Sequence, residues 1–193
     1  MNPFRRIAGR YMEAHCKQPI EVQYIGIRPV YYPVAEILFS AGDAELQKIY
    51  DTAVYTLRCC MHEHYEDCPW REQELYIMDS RNQMLCGYYA FEDGNQAYAR
   101  HNLELISKSL RPDGLLAICA PSGKDVPIPL FSLVYVLQVY EYIWHTCDGS
   151  VLDEVGATVD AIMRTFASRA EAELPNAYFK VATSYIFHQK HIS

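Results

Sequence analysis

One pattern constrains this chain more than any other: apolar residues recur at helical spacing, in blocks separated by turn residues. Leu46, Ile49, Tyr50, Ala53, Leu57, Cys60 and Met61 follow the i, i+3, i+4, i+7 rhythm of one helix face. Asp43 stands before them as a cap, with acid in the first turn at Glu45. The same reading predicts a second helix from about Pro69 to Phe91, a turn at Glu92-Asp93-Gly94-Asn95, and a third helix from about Gln96 to Leu110. Arg111-Pro112-Asp113-Gly114 stops that helix. A proline-rich loop, "APSGKDVPIP", follows. A fourth helix covers "LFSLVYVLQVYEYIWHT". Asp148-Gly149 then turns the chain, and Ser150 caps a fifth helix that runs to about Ala172. Successive helices on short turns are antiparallel neighbours, so the fold class is mainly α, built of stacked helical hairpins.

The two ends differ from this body. "PIEVQYIGIRPVYYPVAEILFS" is β-branched and aromatic and is broken by Pro29 and Pro33. It predicts a short β arm over residues 1–40 with no partner strands nearby, so the arm must lie on something else. The helical hairpin domain takes residues 41–174. The tail, residues 175–193, reads as strand-like or irregular. No repeat and no low-complexity segment is visible.

Composition removes several function classes. The formal charge of -7 is wrong for holding phosphates, so no nucleic acid partner is expected. It is equally wrong for an anionic membrane surface. No apolar run spans a membrane, and the start lacks a signal-peptide core, so a cytoplasmic protein is expected. The 7 cysteines are odd in number and scattered, which predicts reduced, mostly buried thiols. The 16 tyrosines suit both cores and sugar-binding clefts.

The chemistry concentrates in "MHEHYEDCPWREQELYIMDSRNQ", Met61 to Gln83. Asp67-Cys68-Pro69 has the form of a helix start, with Asp as cap and Pro in the first turn. On a helix from Pro69, at about 100° per residue, Glu72, Tyr76, Asp79 and Gln83 share one stripe. Leu75, Ile77, Met78, Met84, Leu85, Tyr88 and Tyr89 occupy much of the rest. A polar line on such a helix faces either a cleft or open solvent. In a cleft, the two acids repel, and one is held protonated for general acid work.

His62, His64, Glu66 and Cys68 are ligand-type residues, but their spacing is not that of a metal-binding helix pair and no distant cluster completes a set. No metal and no cofactor are therefore expected, and the two histidines read as hydrogen-bonding residues at a helix end. Cys68 lies beside acids, which discourage thiolate chemistry. Ser122-Gly123-Lys124 lacks the glycine-rich run of a phosphate loop.

"HEHYEDCPWREQELYIMDSRNQMLCGYYAF" closely resembles the signature of glycoside hydrolase family 78, the bacterial α-L-rhamnosidases. The resemblance continues through "GLLAICAPSGKDVPIPLFSLVYVLQVYEYIWHTCDGSVLDEVGATVDAIMRTF" and covers about Ile20 to Phe179. It implies an (α/α)6 barrel of six helical hairpins, of which this chain would be a part. The arm would be the strand leading in from a β-sandwich. Carried over by motif, the general acid falls on Glu72, and the sugar-binding aspartates fall on Asp67 and Asp79. The aromatic lining the sugar site falls on Tyr76, where the family usually has tryptophan. The implied chemistry is inverting hydrolysis of a rhamnose-containing glycoside. Neutral Glu72 protonates the leaving oxygen, and a carboxylate roughly 6.5–9.5 Å away activates water.

The family's base is a glutamate on a much later hairpin, and Glu171 and Glu173 have no motif context to replace it. A truncated barrel leaves apolar inner faces open, so a homodimer is expected to cover them. Three readings stand: a rhamnosidase or its acid-bearing part, a non-catalytic remnant that holds sugar weakly, and a helical interaction module whose acidic stripe is only surface.

Overall fold

The computed structural model describes residues 6–92 and 94–173. Among the described residues five α-helices carry the fold: α1 (Ala44–Cys59), α2 (Ile77–Ala90), α3 (Gly94–Ser107), α4 (Pro129–Thr146) and α5 (Leu152–Glu173). Asp43 caps α1, its Oδ1 accepting from the amides of Glu45 and Leu46, both at 2.9 Å. The fifth helix begins differently from expectation. Asp148, not Ser150, is the capping residue: it accepts from the Ser150 amide at 3.1 Å and starts a short 3-10 turn, Gly149–Val151, ahead of α5.

Helices α2 and α4 lie side by side, and α3 packs on both. Helix α5 packs on α3 and α4, and α1 leans on α2. Arg81 reaches Glu141, with Nε to Oε2 at 2.8 Å, and Tyr88 stacks on His145 at 4.5 Å. Position rises together along the two helices, so α2 and α4 run in the same direction, as inner helices of successive hairpins do. This is part of a helical (α/α) toroid. The core between the layers is fully buried at Met84, Leu103, Ile106, Tyr135, Tyr142 and Ile162. Tyr135 buries its ring by donating its hydroxyl to the Leu103 carbonyl at 2.9 Å, as a buried phenol must.

Two glycines set close approaches. A Cβ on Gly87 would stand 2.7 Å from the Asn95 amide, so α2 and α3 meet there only without a side chain. Gly114 has φ +77°, and a Cβ there would strike Thr165 Oγ1 at 1.9 Å. Arg100 ties α3 to the α4–α5 corner through Asp148 and Glu154, each at 2.9 Å.

Several expectations need correcting. The arm forms no strand among the described residues; it makes an isolated bridge, Glu36 with Phe91. It is held by single bonds: Tyr32 N–H to the Met61 carbonyl at 2.7 Å and Ile37 N–H to the Ala90 carbonyl at 2.9 Å. Pro29 and Pro33 remove donors, and among the described residues no strand lies beside it to pair with. The face expected to bury α1 does so only toward its end: Leu57, Cys60 and Met61 are buried and Tyr50 is half-buried, whereas Leu46, Ile49 and Ala53 are exposed, and Val54, outside that face, is buried. All seven cysteines are free, as expected, but only Cys60 and Cys119 are buried, while Cys16, Cys86 and Cys147 are exposed. The tail, 175–193, lies outside the described residues. No helix among the described residues is long and apolar enough to cross a membrane.

Candidate active site

The second helix starts at Ile77, eight positions later than the sequence predicts, and this reshapes the site. Residues Asp67 to Glu74 form a closed loop instead of a helical turn. The Asp67 amide donates to the Glu74 carbonyl at 3.0 Å, and Asp67 Oδ1 accepts from the Glu74 amide at 3.0 Å. Asp67 is therefore a cap for a loop, not for a helix from Pro69. Gln73 has φ +56°, a left-handed conformation that no right-handed helix admits. Its side chain steadies the turn by donating to the Pro69 carbonyl at 2.8 Å. Beyond it, the chain is drawn sideways: the Ala120 amide donates to the Leu75 carbonyl at 3.2 Å, and Tyr76 bridges Cys119. Leu75 and Ile77 are buried at 1% and 0% exposure. Their burial fixes where the loop ends and α2 begins.

The stripe of Glu72, Tyr76, Asp79 and Gln83 is thus not a helical stripe. Glu72 lies on the loop, Tyr76 is the residue before α2, and Asp79 and Gln83 lie on the helix itself. The candidate residues nevertheless cluster at one end of α2. Single ligand atoms of Asp67, Cys68 and Glu72 lie within 4.8 Å of one another. Each is already engaged. Cys68 Sγ donates to Glu72 Oε2 at 3.3 Å, Arg71 pairs with the other Glu72 oxygen, and Asp67 holds the Glu74 amide. Gln83 faces the same end, donating to the Glu66 carbonyl at 2.6 Å.

The charges are arranged against the simplest expectation. The hydrogen bond from the Arg71 guanidinium, helped by the Cys68 thiol, holds the Glu72 carboxyl down at about 2. In this arrangement, paired with Arg71, Glu72 is ionised at neutral pH. Asp79 moves the other way. Surrounding protein first, and the Asp67 carboxylate second, push its carboxyl above the ordinary range. The two carboxyls thus shift in opposite directions, Glu72 through Arg71 and Asp79 through burial and Asp67, and neither shift comes from the other acid.

Sequence reasoning missed a second layer. Glu74 accepts from Cys119 Sγ at 2.6 Å and from Lys124 Nζ at 3.0 Å, which holds its carboxyl below the usual value, chiefly through the Cys119 contact. These partners lie just before and within the proline-rich loop after α3, and no spacing rule links them to the Asp67 region. The two histidines just past the end of α1 are hydrogen-bonding residues, as expected, although their partners are not helix-end carbonyls. His62 Nε2 lies 2.9 Å from the Val30 carbonyl and so ties down the arm. His62 Nδ1 lies 3.0 Å from Glu66 Oε2, and Glu66 is wholly buried and also paired with Arg6. His64 Nδ1 meets the Tyr65 carbonyl at 2.8 Å.

Comparison with known proteins places these features in context. The sequence model of the bacterial alpha-L-rhamnosidase six-hairpin glycosidase domain matches residues 36–181. Among solved structures, the chain resembles the GH78 family rhamnosidase of Bacillus sp. GL1, at 29% identity and a TM-score of 0.64 over 69% of this chain. It also resembles a rhamnosidase from Klebsiella oxytoca with rhamnose bound, at 26% identity and a TM-score of 0.60 over 67% of this chain. The chain spans only 14% and 26% of those two proteins. No curated protein sequence matches significantly.

Proposed function

Because the chain belongs to the bacterial α-L-rhamnosidase six-hairpin glycosidase family, we propose that it carries the sugar-holding and acid-bearing part of an inverting rhamnosidase site. Asp67 and Asp79 hold hydroxyls of a terminal α-L-rhamnose and stabilise positive charge at its anomeric carbon. Tyr76 lines the sugar, and Glu72 gives its proton to the leaving oxygen. One observation carries this reading. Residues spread over a loop and a helix start bring Asp67 within 4.8 Å of Glu72 and close enough to Asp79 to raise its pKa.

The acid role has a condition. Arg71 holds Glu72 ionised, so its guanidinium must leave when sugar enters. Without that counter-ion Glu72 keeps only the Cys68 thiol as a donor, and the like charge of Asp67 then raises its proton affinity. The base is supplied from outside the described residues, and these 193 residues bind rhamnose without turning it over. The test is nitrophenol release from an aryl α-L-rhamnoside, run beside NMR titration with methyl α-L-rhamnoside. The expected result is no turnover, with binding that is lost in Asp79→Asn. Absence of binding in the parent chain sinks the reading. Turnover that Glu72→Gln abolishes would mean that the base is present after all.

A second copy belongs to the same reading. Leu130, Leu137, Tyr140 and Trp144 stand exposed along one seam of α4, each at 42% or more. Their spacings of seven, three and four residues keep them on one helix face, as in helix–helix packing. A homodimer covering this seam is expected in sedimentation equilibrium at micromolar concentration, and a monodisperse monomer refutes it.

A further inference from the structure

We infer that Glu74 is a positioning residue of the sugar site: it fixes the Asp67 carboxylate, and Cys119 and Lys124 hold Glu74 in place from a distant part of the chain. This rests on Asp67 holding the sugar, as proposed above. Glu74 stands outside the set of Asp67, Glu72, Tyr76 and Asp79, yet its backbone is bonded to Asp67 in both directions. Its amide donates to Asp67 Oδ1 at 3.0 Å, and its carbonyl accepts from the Asp67 amide at 3.0 Å. With Oδ1 committed to that amide, the second oxygen of Asp67 is the one left to a sugar hydroxyl.

The side chain of Glu74 is held separately. Its Oε2 accepts from Cys119 Sγ at 2.6 Å, and its Oε1 accepts from Lys124 Nζ at 3.0 Å. The two anchors differ in kind. Cys119 is buried, and its surroundings are tied to the same segment: Tyr76 bridges Cys119, and the Ala120 amide donates to the Leu75 carbonyl. Lys124 is exposed and supplies charge. Glu74 is therefore a junction, with the Asp67 loop on its backbone and the segment after α3 on its carboxylate. A group that holds a ligand is only as well placed as the residues behind it.

Charge explains why a lysine stands there. Glu72 acts on Glu74 as a like charge, and Glu74 and Asp67 both act on the Tyr76 phenol, so the carboxylates of Asp67, Glu72 and Glu74 crowd the start of α2. Arg71 pairs with Glu72, and Lys124 pairs with Glu74. Without Lys124, the Glu74 carboxylate is uncompensated among like charges and is pushed away from them. The backbone that clamps Asp67 moves with it. The Lys124 charge also reaches Tyr76, so the pair closes the site on the side of that ring.

The experiment uses the whole chain and the variants Lys124→Met, Glu74→Gln, the two combined, and Lys124→Arg. Binding of methyl α-L-rhamnoside is followed by NMR titration. Lys124→Met and Glu74→Gln should each weaken it about fivefold, the upper end of what an exposed ion pair is worth. The combined variant should lose no more than either single one, because both break the same pair. Lys124→Arg keeps the charge and should regain most of the affinity. Urea midpoints should stay together. Amide hydrogen exchange, measured without sugar, reads the clamp itself: the Asp67 and Glu74 amides should exchange about fivefold faster in Lys124→Met, while the Leu103 amide in α3 keeps its rate. Unchanged exchange at Asp67 and Glu74 overturns the positioning role. So does parental affinity in both single variants, a loss that multiplies in the combined one, or a loss in Lys124→Arg as large as in Lys124→Met. A fall in urea midpoint large enough to account for the lost binding overturns it too, since the pair is then merely structural. If the parent chain does not bind the rhamnoside but the two amides still quicken, the rhamnose reading fails and the positioning of Asp67 stands.

Discussion

The loop before α2 and helix α3 meet at Tyr65, whose amide donates to Asn102 Oδ1 at 2.8 Å and whose hydroxyl donates to Asn95 Oδ1 at 3.0 Å. On the α3 side of that contact, Ala99, Leu103 and Ile106 are wholly buried, and apolar burial does the holding. On the loop side, Asp67, Gln73, Glu74 and Gln83 hold backbone or side-chain groups through individual polar bonds. A helix packed by area resists small local changes and fails globally when its core is emptied. A loop closed by a few directional bonds fails locally, and its failures show in binding before they show in stability.

Emptying the α3 side is the most damaging way to test that contrast. Leu103→Ala removes a side chain with no exposure from the middle of the core. It should cost about 2–5 kcal/mol, the transfer and cavity penalty of a buried leucine. Urea unfolding with an unchanged slope would read it out. A loss under about 1 kcal/mol would mean that α3 is not the central element described here.

The same contrast explains what the sequence disclosed. Helices α1, α3, α4 and α5 were legible because apolar periodicity, the Asp43 cap and the Asp148-Gly149 turn are local signals. Each lies within a few residues of the structure it determines. The start of α2 was not legible. Asp67-Cys68-Pro69 has every local mark of a helix start, but the Asp67 carboxylate goes to Glu74 instead. Leu75 and Tyr76 are claimed by Cys119 and Ala120, far along the chain, and no period links them. The candidate residues still come together in the fold, because they belong to a contiguous motif. Their charges were not legible, because Arg71 and Glu72 are sequence neighbours that would point apart on a helix and meet only on this turn. The arm read as strands because its residues have strand propensity, and that propensity finds no partner strand to satisfy it.

A gentler change sharpens the comparison from the loop side. Asp67→Asn keeps an oxygen to accept the Glu74 amide, so the loop should stay closed and stability should move by no more than about 0.5 kcal/mol. It removes the charge facing Asp79. Since the surrounding protein is the larger cause of the Asp79 shift and Asp67 the smaller, the Asp79 carboxyl should fall toward its ordinary value without reaching it. The sign for stability follows. A carboxyl raised in the folded state binds its proton there more tightly than in the unfolded chain, so stability declines as pH rises from the unfolded toward the folded value. Asp67→Asn narrows that window and flattens the decline. Carboxyl NMR titration of Asp79 in the two proteins reads the shift directly. An unchanged Asp79 titration would mean that the two aspartates do not share a site, and with it would go the shared grip on one sugar that the loop and the start of α2 are held to form.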